Sequence, residues 1–296
     1  MSVAFNEDLA AHLASGVSTV CHAWAIIRTD GTVFGFTDHD QPLSFAGFEF
    51  RADTGLSALA LSQSTGLSVD NTEALGALSD SSLREDEIEQ GRFDGAEVRG
   101  WLVNCADPSQ HWLNFRGHLG ELTRADGGFR AELRGLTEGL NRPLGRVYQK
   151  PCAAVLGDGT CRFNLGQGGY SHALPVQNVE GARKFVWEGF EGFDDGWFTR
   201  GRLEILDGPA AGLWGTVKSD RIIGTTRVLE LWEPIRGEIT SGAQVRVVAG
   251  CDKRMETCQG KFNNFMNFQG FPDLPTEDWV VAVPSSGNAN TGGSLR

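Results

Sequence analysis

Three features of this 296-residue chain predict a mainly β, multidomain fold. Glycine is abundant at 39 residues, which favours a turn-rich chain. Short apolar runs of strand length recur between Asp-Gly and other Gly-rich turns. Stretches rich in Ala, Glu, Lys and Leu, which a helical bundle would need, are few. The length exceeds what one small core can hold and implies two or three domains. With 40% hydrophobic and 22% charged residues, the whole chain has the composition of a folded soluble protein.

The elements follow in order. Residues 5–13 read as a short amphipathic helix, with Asn6 as cap and acids in the first turn. Residues 20–28 and 32–37 read as strands around the hairpin turn Asp30-Gly31. Residues 43–45 and 48–51 form a second hairpin around Ala46-Gly47. Residues 57–66 fit neither periodicity. Residues 82–90 read as an acidic helix stopped by Gly91. Strands are expected over 96–104, 110–122 and 129–136, the last two joined at Asp126-Gly127-Gly128. A second strand-rich block contains 201–206, 213–218, 228–232 and 244–248. Phe262, Phe265 and Met266 have i, i+3, i+4 spacing and predict one helix. The Ser/Gly/Asn-rich end is expected to be a flexible tail.

Composition changes near residue 140, around Pro143, Gly145 and Pro151. The predicted organisation is a β-barrel-like N-terminal domain over 1–140 and a small cysteine-rich domain over 141–170 plus 250–284. That second domain is interrupted by an inserted β domain over 171–249, and 285–296 form the tail.

The net charge of −12 argues against a protein that grips nucleic acid through its phosphates. The N-terminus lacks the basic and apolar regions of a signal peptide, and the apolar runs fall short of a membrane span. Synthesis in the cytoplasm is the expectation. Six cysteines are too few for a disulfide scaffold.

Four of those cysteines form two pairs. Eight residues separate Cys152 from Cys161, six separate Cys251 from Cys258, and 89 lie between the pairs. Zinc sites commonly use C-x2–4-C pairs and bacterial ferredoxins use C-x2-C-x2-C, and this spacing matches neither. Two features nevertheless favour a metal site. Lys150, Arg162, Lys253, Arg254 and Lys261 gather near these cysteines in an otherwise acidic chain, where cations would offset thiolate charge. Gly157-Asp158-Gly159 would let backbone approach closely. The competing reading is four buried free thiols. Cys21 and Cys105 lie in apolar strand-like runs and read as core residues.

The stretch GCDKRMETCQGKFNNFMNFQGFPDLP (250–275), together with Pro151-Cys152 and Gly159-Thr160-Cys161, resembles the C-terminal signature of tail-tip and baseplate hub proteins of gene transfer agents and related siphovirus-like phages. Upstream, GFTDHDQPLSFAGFEF (35–50) and IEQGRFDGAEVRGWLVN (88–104) are similar to the N-terminal half of the same family, so the resemblance covers nearly the whole chain. The paired cysteine intervals also resemble those of the lambda tail-tip protein L, whose C-terminal domain binds a [4Fe-4S] cluster. The long block between the pairs departs from that pattern.

The resemblance implies a non-catalytic, trimeric virion hub at the tail tip, between a distal tail protein ring and a central fibre protein. A tail-associated peptidase would be a further neighbour, and DNA would pass transiently. The net charge of −12 combined with such a conduit role leads us to expect an inward surface that is acidic or neutral where DNA passes. The resemblance also implies that Cys152, Cys161, Cys251 and Cys258 ligate a [4Fe-4S] cluster, with zinc as the alternative metal.

Other candidates carry less. Asp38-His39-Asp40 sits where a strand ends before Pro42, and its carboxylates read as turn caps. His111 and His118 are an odd interval apart and would share a metal only across a bulge. Cys21 and His22, as neighbours in a strand, point to opposite faces and make no peptidase pair. Phe262, Phe265, Phe268 and Phe271 read as packing of the cysteine-rich domain. No flavin, nicotinamide, nucleophile-elbow or zinc-protease motif is visible, which weighs against a redox or cell-wall-degrading enzyme.

Overall fold

A computed structural model describes residues 6–52, 71–74, 84–125, 128–136, 145 and 147–274. The chain divides into two compact units, Met1–Leu144 and Gly145–Arg296.

The first unit opens with α1 (Glu7–Ala14). Asn6 caps it, its side-chain oxygen accepting from the amides of Asp8 at 3.0 Å and Leu9 at 3.2 Å. Six antiparallel strands then form one sheet. They are β1 (Val20–Ile27), β2 (Val33–Thr37), β5 (Asn71–Ala74), β6 (Glu97–Asn104), β7 (His111–Ala125) and β8 (Gly128–Gly135), ordered β2-β1-β6-β7-β8-β5. Among the described residues β2 and β5 are its end strands.

The sheet is apolar on both faces, and pairing explains how. Trp24 and Ile26 of β1 stand opposite Gly100 and Val98 of β6, and this row packs with Phe36, Phe93, Phe115 and Leu133. Cys21, Ala23 and Ala25 take the other face, with Trp101 and Val103. A hairpin of β3 (Leu43–Phe45) and β4 (Phe48–Phe50) covers that second face with Phe45 and Phe50. Gly100 is required where it stands, because a Cβ there would lie 2.5 Å from the Trp24 ring. A helix α2 (Glu85–Glu89) is shorter than the 82–90 expected, and β5 was not anticipated. Residues 57–66 and the turn residues Asp126 and Gly127 lie outside the described residues.

The second unit contains a seven-stranded antiparallel sheet. Its strands are β9 (Ser171–Pro175), β10 (Asn178–Glu180), β11 (Lys184–Glu188), β12 (Arg202–Ile205), β13 (Trp214–Ile223), β14 (Thr226–Leu231) and β15 (Gln244–Val248). They are ordered β10-β11-β14-β13-β12-β15-β9. The strict alternation of β12, β14 and β15 aims Leu203, Ile205, Leu229, Leu231, Val245 and Val247 into one core with Phe185, Trp187 and Phe198.

At the centre of that core Arg227 and Asp220 are fully buried against each other. Arg227 donates to Asp220 at 2.8 and 2.6 Å, and to the carbonyls of Phe193 at 3.0 Å and Asp194 at 2.8 Å. The amide of Phe198 completes the set by donating to Asp220 at 2.9 Å.

Beyond β15 the chain forms α3 (Met255–Gly260) and a 3-10 turn over Phe265–Asn267. This corrects the helix expected from Phe262, Phe265 and Met266. Asn263 takes a left-handed φ of 46° and breaks the helix after Gly260. The three side chains consequently share no face: Phe262 is buried, Phe265 is 46% exposed and Met266 is 92% exposed.

Candidate cysteine site

The four paired cysteines meet around one small cavity. It is lined by Cys152, Cys161, Cys251 and Cys258 with Ala154, Leu156 and Phe262, and with the polar side chains Lys253, Arg254, Asn264 and Asn267. Cys161 and Cys258 are buried, and Cys152 and Cys251 partly so.

Local chemistry places each thiol. Asp158 shapes the loop before Cys161. Its carboxylate accepts from the amides of Cys161 (2.6 Å), Val155 (2.8 Å) and Thr160 (2.9 Å), and from the Thr160 hydroxyl (2.7 Å). Those bonds, led by that from Cys161, hold its pKa far below the carboxylate range. Cys152 is tied to the second segment by its amide, which donates to the Lys253 carbonyl at 2.8 Å. Cys251 follows Gly250, which packs against the 199–201 turn so closely that a Cβ would lie 1.7 Å from the Thr199 carbonyl oxygen. Cys258 is carried by α3.

Donors already face the sulfurs. The Gln269 amide donates to Cys152 Sγ at 3.4 Å, and Asn264 Nδ2 to Cys161 Sγ at 3.5 Å. Burial, then the proximity of Cys251, Cys152 and Cys161, pushes the Cys258 thiol up to about 11. Burial also raises Cys251, opposed by a backbone hydrogen bond and the charge of Lys253. Four thiols packed this way need positive charge to ionise together, from side chains and from any group they hold.

Of the five cations noted in the sequence, Lys253 and Arg254 line the cavity. Lys253 donates to the Ala154 carbonyl. Lys261 lies over the Trp197 ring at 4.2 Å and donates to the carbonyls of Trp197 and Gly250, while burial lowers its pKa to about 8. Arg162 turns back onto the Gly159 carbonyl, and Lys150 is exposed. Beneath the site Phe163, Tyr170 and Phe262 pack edge to face or stacked, with ring centroids 4.7–5.7 Å apart. Phe271 instead packs on Tyr148, and Phe265 on Phe268.

Among the described residues, no three His, Cys, Asp or Glu side chains are gathered tightly enough to hold a single metal ion. The donor set still suits a thiolate-bound group: four cysteines, two facing amide donors and two lining cations.

The other candidates are structural. Asp38 accepts from the His22 amide at 2.6 Å and its ring at 3.0 Å, and His39 contacts Asp40 at 3.2 Å. Cys21 is buried beside Cys105, whereas His22 is exposed on the opposite face. A bulge does separate His111 from His118, but His111 contacts Phe45 and the Pro108 carbonyl and His118 is exposed.

Residues 6–164 match the family described as baseplate hub protein, N-terminal attachment domain. The chain belongs to the baseplate hub protein family. Residues 196–278 match a second family, described as phage conserved hypothetical protein BR0599. A solved chain in a structure titled "Virion of native gene transfer agent (GTA) particle" is 51% identical. The match covers 98% of this chain and 100% of that one, with a TM-score of 0.91. The curated proteins give no match. Among the described residues no helix is long and apolar enough to cross a membrane.

Proposed function

We propose that the chain is a non-enzymatic structural hub of a gene-transfer-agent or phage-like tail tip, whose two cysteine-bearing segments in the C-terminal unit are tied together by a [4Fe-4S] cluster on Cys152, Cys161, Cys251 and Cys258. Family membership and the whole-chain similarity to a particle protein support the hub role. In that role the chain forms a homotrimer that joins the distal tail ring to the central fibre and surrounds the path of the DNA. Its net charge of −12 suits a conduit that does not retain the genome.

The observation that carries the cofactor reading is the convergence of two cysteine pairs, distant in sequence, on one cavity with donors aimed at their sulfurs. Zinc needs all four sulfurs about 2.3 Å from one centre. In a cubane each thiolate binds its own iron, which suits a more widely spread set. When bound, the cluster would supply a covalent tie between the two segments. The residues of the chain do the rest: Asp158 fixes the Cys161 loop, Lys253 and Arg254 offset charge, and Phe262 walls the cavity from solvent.

The test is anaerobic purification with iron, sulfide and zinc quantified, alongside single Cys→Ser variants. Four irons and four sulfides per chain are expected, lost in each of the four variants and retained in Cys21→Ser and Cys105→Ser. Stoichiometric zinc without iron would overturn the cluster assignment and leave the hub role standing. Averaged images of the tail tip with one copy or six copies of this chain would overturn the trimer.

A further inference from the structure

The outer face of the seven-stranded sheet carries two tryptophans that its core does not use. Trp214 is 56% exposed and Trp232 is 59% exposed. Alternation puts them on one side. Gly215 faces inward against Leu231, so Trp214 and Thr216 face out, and Trp232 follows the inward Leu231. The Trp232 amide donates to the Thr216 carbonyl at 3.0 Å, which sets the two rings on neighbouring strands about one side-chain row apart.

Each ring is flanked by a cation. Arg202 lies over Trp214 at 5.1 Å, and Lys218 over Trp232 at 5.9 Å. Two carboxylates bridge the cations. Glu204 accepts from Arg202 at 2.9 Å and Arg246 at 2.6 Å, and Glu230 pairs with Lys218 at 3.1 Å and Arg183 at 2.9 Å. Four cations around two carboxylates leave local positive charge in a chain of net charge −12.

We propose that this face binds an acidic polysaccharide, with Trp214 and Trp232 stacking on sugar rings and the Arg–Glu and Lys–Glu pairs meeting hydroxyls and carboxylates. A sugar ring presents an apolar C–H face that an exposed aromatic ring covers well. Its hydroxyls both donate and accept, so they match a surface offering cations and carboxylates side by side. The excess positive charge complements a uronate-bearing chain. A single-stranded nucleic acid would also stack on tryptophan, but it asks for unpaired cations along its phosphates. Here Glu204 and Glu230 stand among the cations, where they repel phosphates but accept from sugar hydroxyls. A protein partner would call for a drier, less charged centre around the aromatic anchors.

The experiment uses the full chain and reads intrinsic fluorescence during titration with polygalacturonate, alginate and hyaluronan. Dextran and a single-stranded oligonucleotide are run in parallel. At least one acidic polysaccharide should bind saturably and more tightly than dextran. Trp214→Ala and Trp232→Ala should each weaken it about tenfold or more, with circular dichroism unchanged. Both positions are exposed, so neither substitution opens the core. Arg246→Gln, which leaves both rings in place, should reduce the preference for acidic over neutral polymer. The proposal is overturned if none of the three acidic polymers binds, or if binding survives both tryptophan variants. It is equally overturned if the oligonucleotide binds more tightly, or if the variants instead abolish self-association seen by sedimentation.

Discussion

Replacing Asp220 by Asn keeps the shape of the side chain and removes its charge, which isolates the buried ion pair. Arg227 is fully buried, with two bonds to Asp220 and two to main-chain carbonyls, and its guanidinium lies 4.7 Å from the Phe198 ring and 5.1 Å from the Phe190 ring. Without the carboxylate its charge has only carbonyl dipoles and aromatic faces to offset it. Breaking one partner of a buried, hydrogen-bonded pair costs about 3–5 kcal/mol. The Asn amide also presents N–H groups where Arg227 or the Phe198 amide needs an acceptor, so the upper part of that range is expected. A domain has only about 5–15 kcal/mol in total, so the second unit should unfold at much lower denaturant. The assay is urea unfolding of the full chain followed by tryptophan emission, since Trp187 lies in this core. Arg227→Met is expected to cost a similar amount by stranding Asp220, and the double variant less than the sum, because with both changed no lone charge is left in the core. A loss under about 1 kcal/mol for Asp220→Asn would refute the reasoning, because the pair would then be no keystone of the sheet.

Two further outcomes rest on single positions. Gly250→Ala places a methyl group 1.7 Å from the Thr199 carbonyl oxygen, a contact that backbone must move to relieve, one residue before Cys251. It should lower the iron bound per chain in anaerobic metal analysis while leaving the first unit's thermal transition unchanged. In the first unit Glu97 has its pKa lowered, first by the hydrogen bond from Arg99 and then by that from Arg116. A depressed carboxylate stabilises above its unfolded value near 4.5 and loses that contribution as pH falls through the folded value. Glu97→Gln should therefore cost about 0.5–1 kcal/mol at neutral pH, and the gap from the parent should close below pH 4 in denaturation curves.

Strand positions were legible because alternation and turn chemistry agree locally. Asp30-Gly31 and Ala46-Gly47 both turn hairpins where expected, and Asn6 caps α1. Misses came where the signal was short or long-range. The strands β5, β9, β10 and β11 span three to five residues and carry little periodicity. The helix assigned to Phe262, Phe265 and Met266 rested on three apolar positions, and Asn263 overruled them locally. At the site, the four thiols could be paired by interval. The reach of Asn264 to Cys161 and of Lys261 to the Trp197 carbonyl could not be read, because each joins segments more than 60 residues apart. Asp158 was readable in principle: an Asp followed by Gly-Thr is a turn former whose carboxylate caps the amides ahead of it.

The fold also changes what the proposed cluster contributes. Counted along the chain, closing the 89 residues between the cysteine pairs resembles a long-loop crosslink of about 4–5 kcal/mol. But β9 and β15 are hydrogen-bonded neighbours, with Ser171 opposite Val248. The seven-stranded sheet therefore leaves and returns at one point, and once folded it has closed most of that loop itself. What remains is the stretch from Cys161 to Ser171 and from Val248 to Cys251, a little over ten residues. On the same entropy scale that crosslink contributes about 3 kcal/mol. The sheet domain also has its own core in Trp187, Phe198, Leu203 and Val245. Cys258→Ser should then abolish the cluster and loosen 152–170 and 250–274 while the sheet stays folded. Hydrogen exchange is the measure: amides of β12–β15 should keep their protection, and those of α3 and the Cys161 loop should lose it. Simultaneous loss across both regions would show that the sheet depends on the cluster, and that the longer loop is the one being closed.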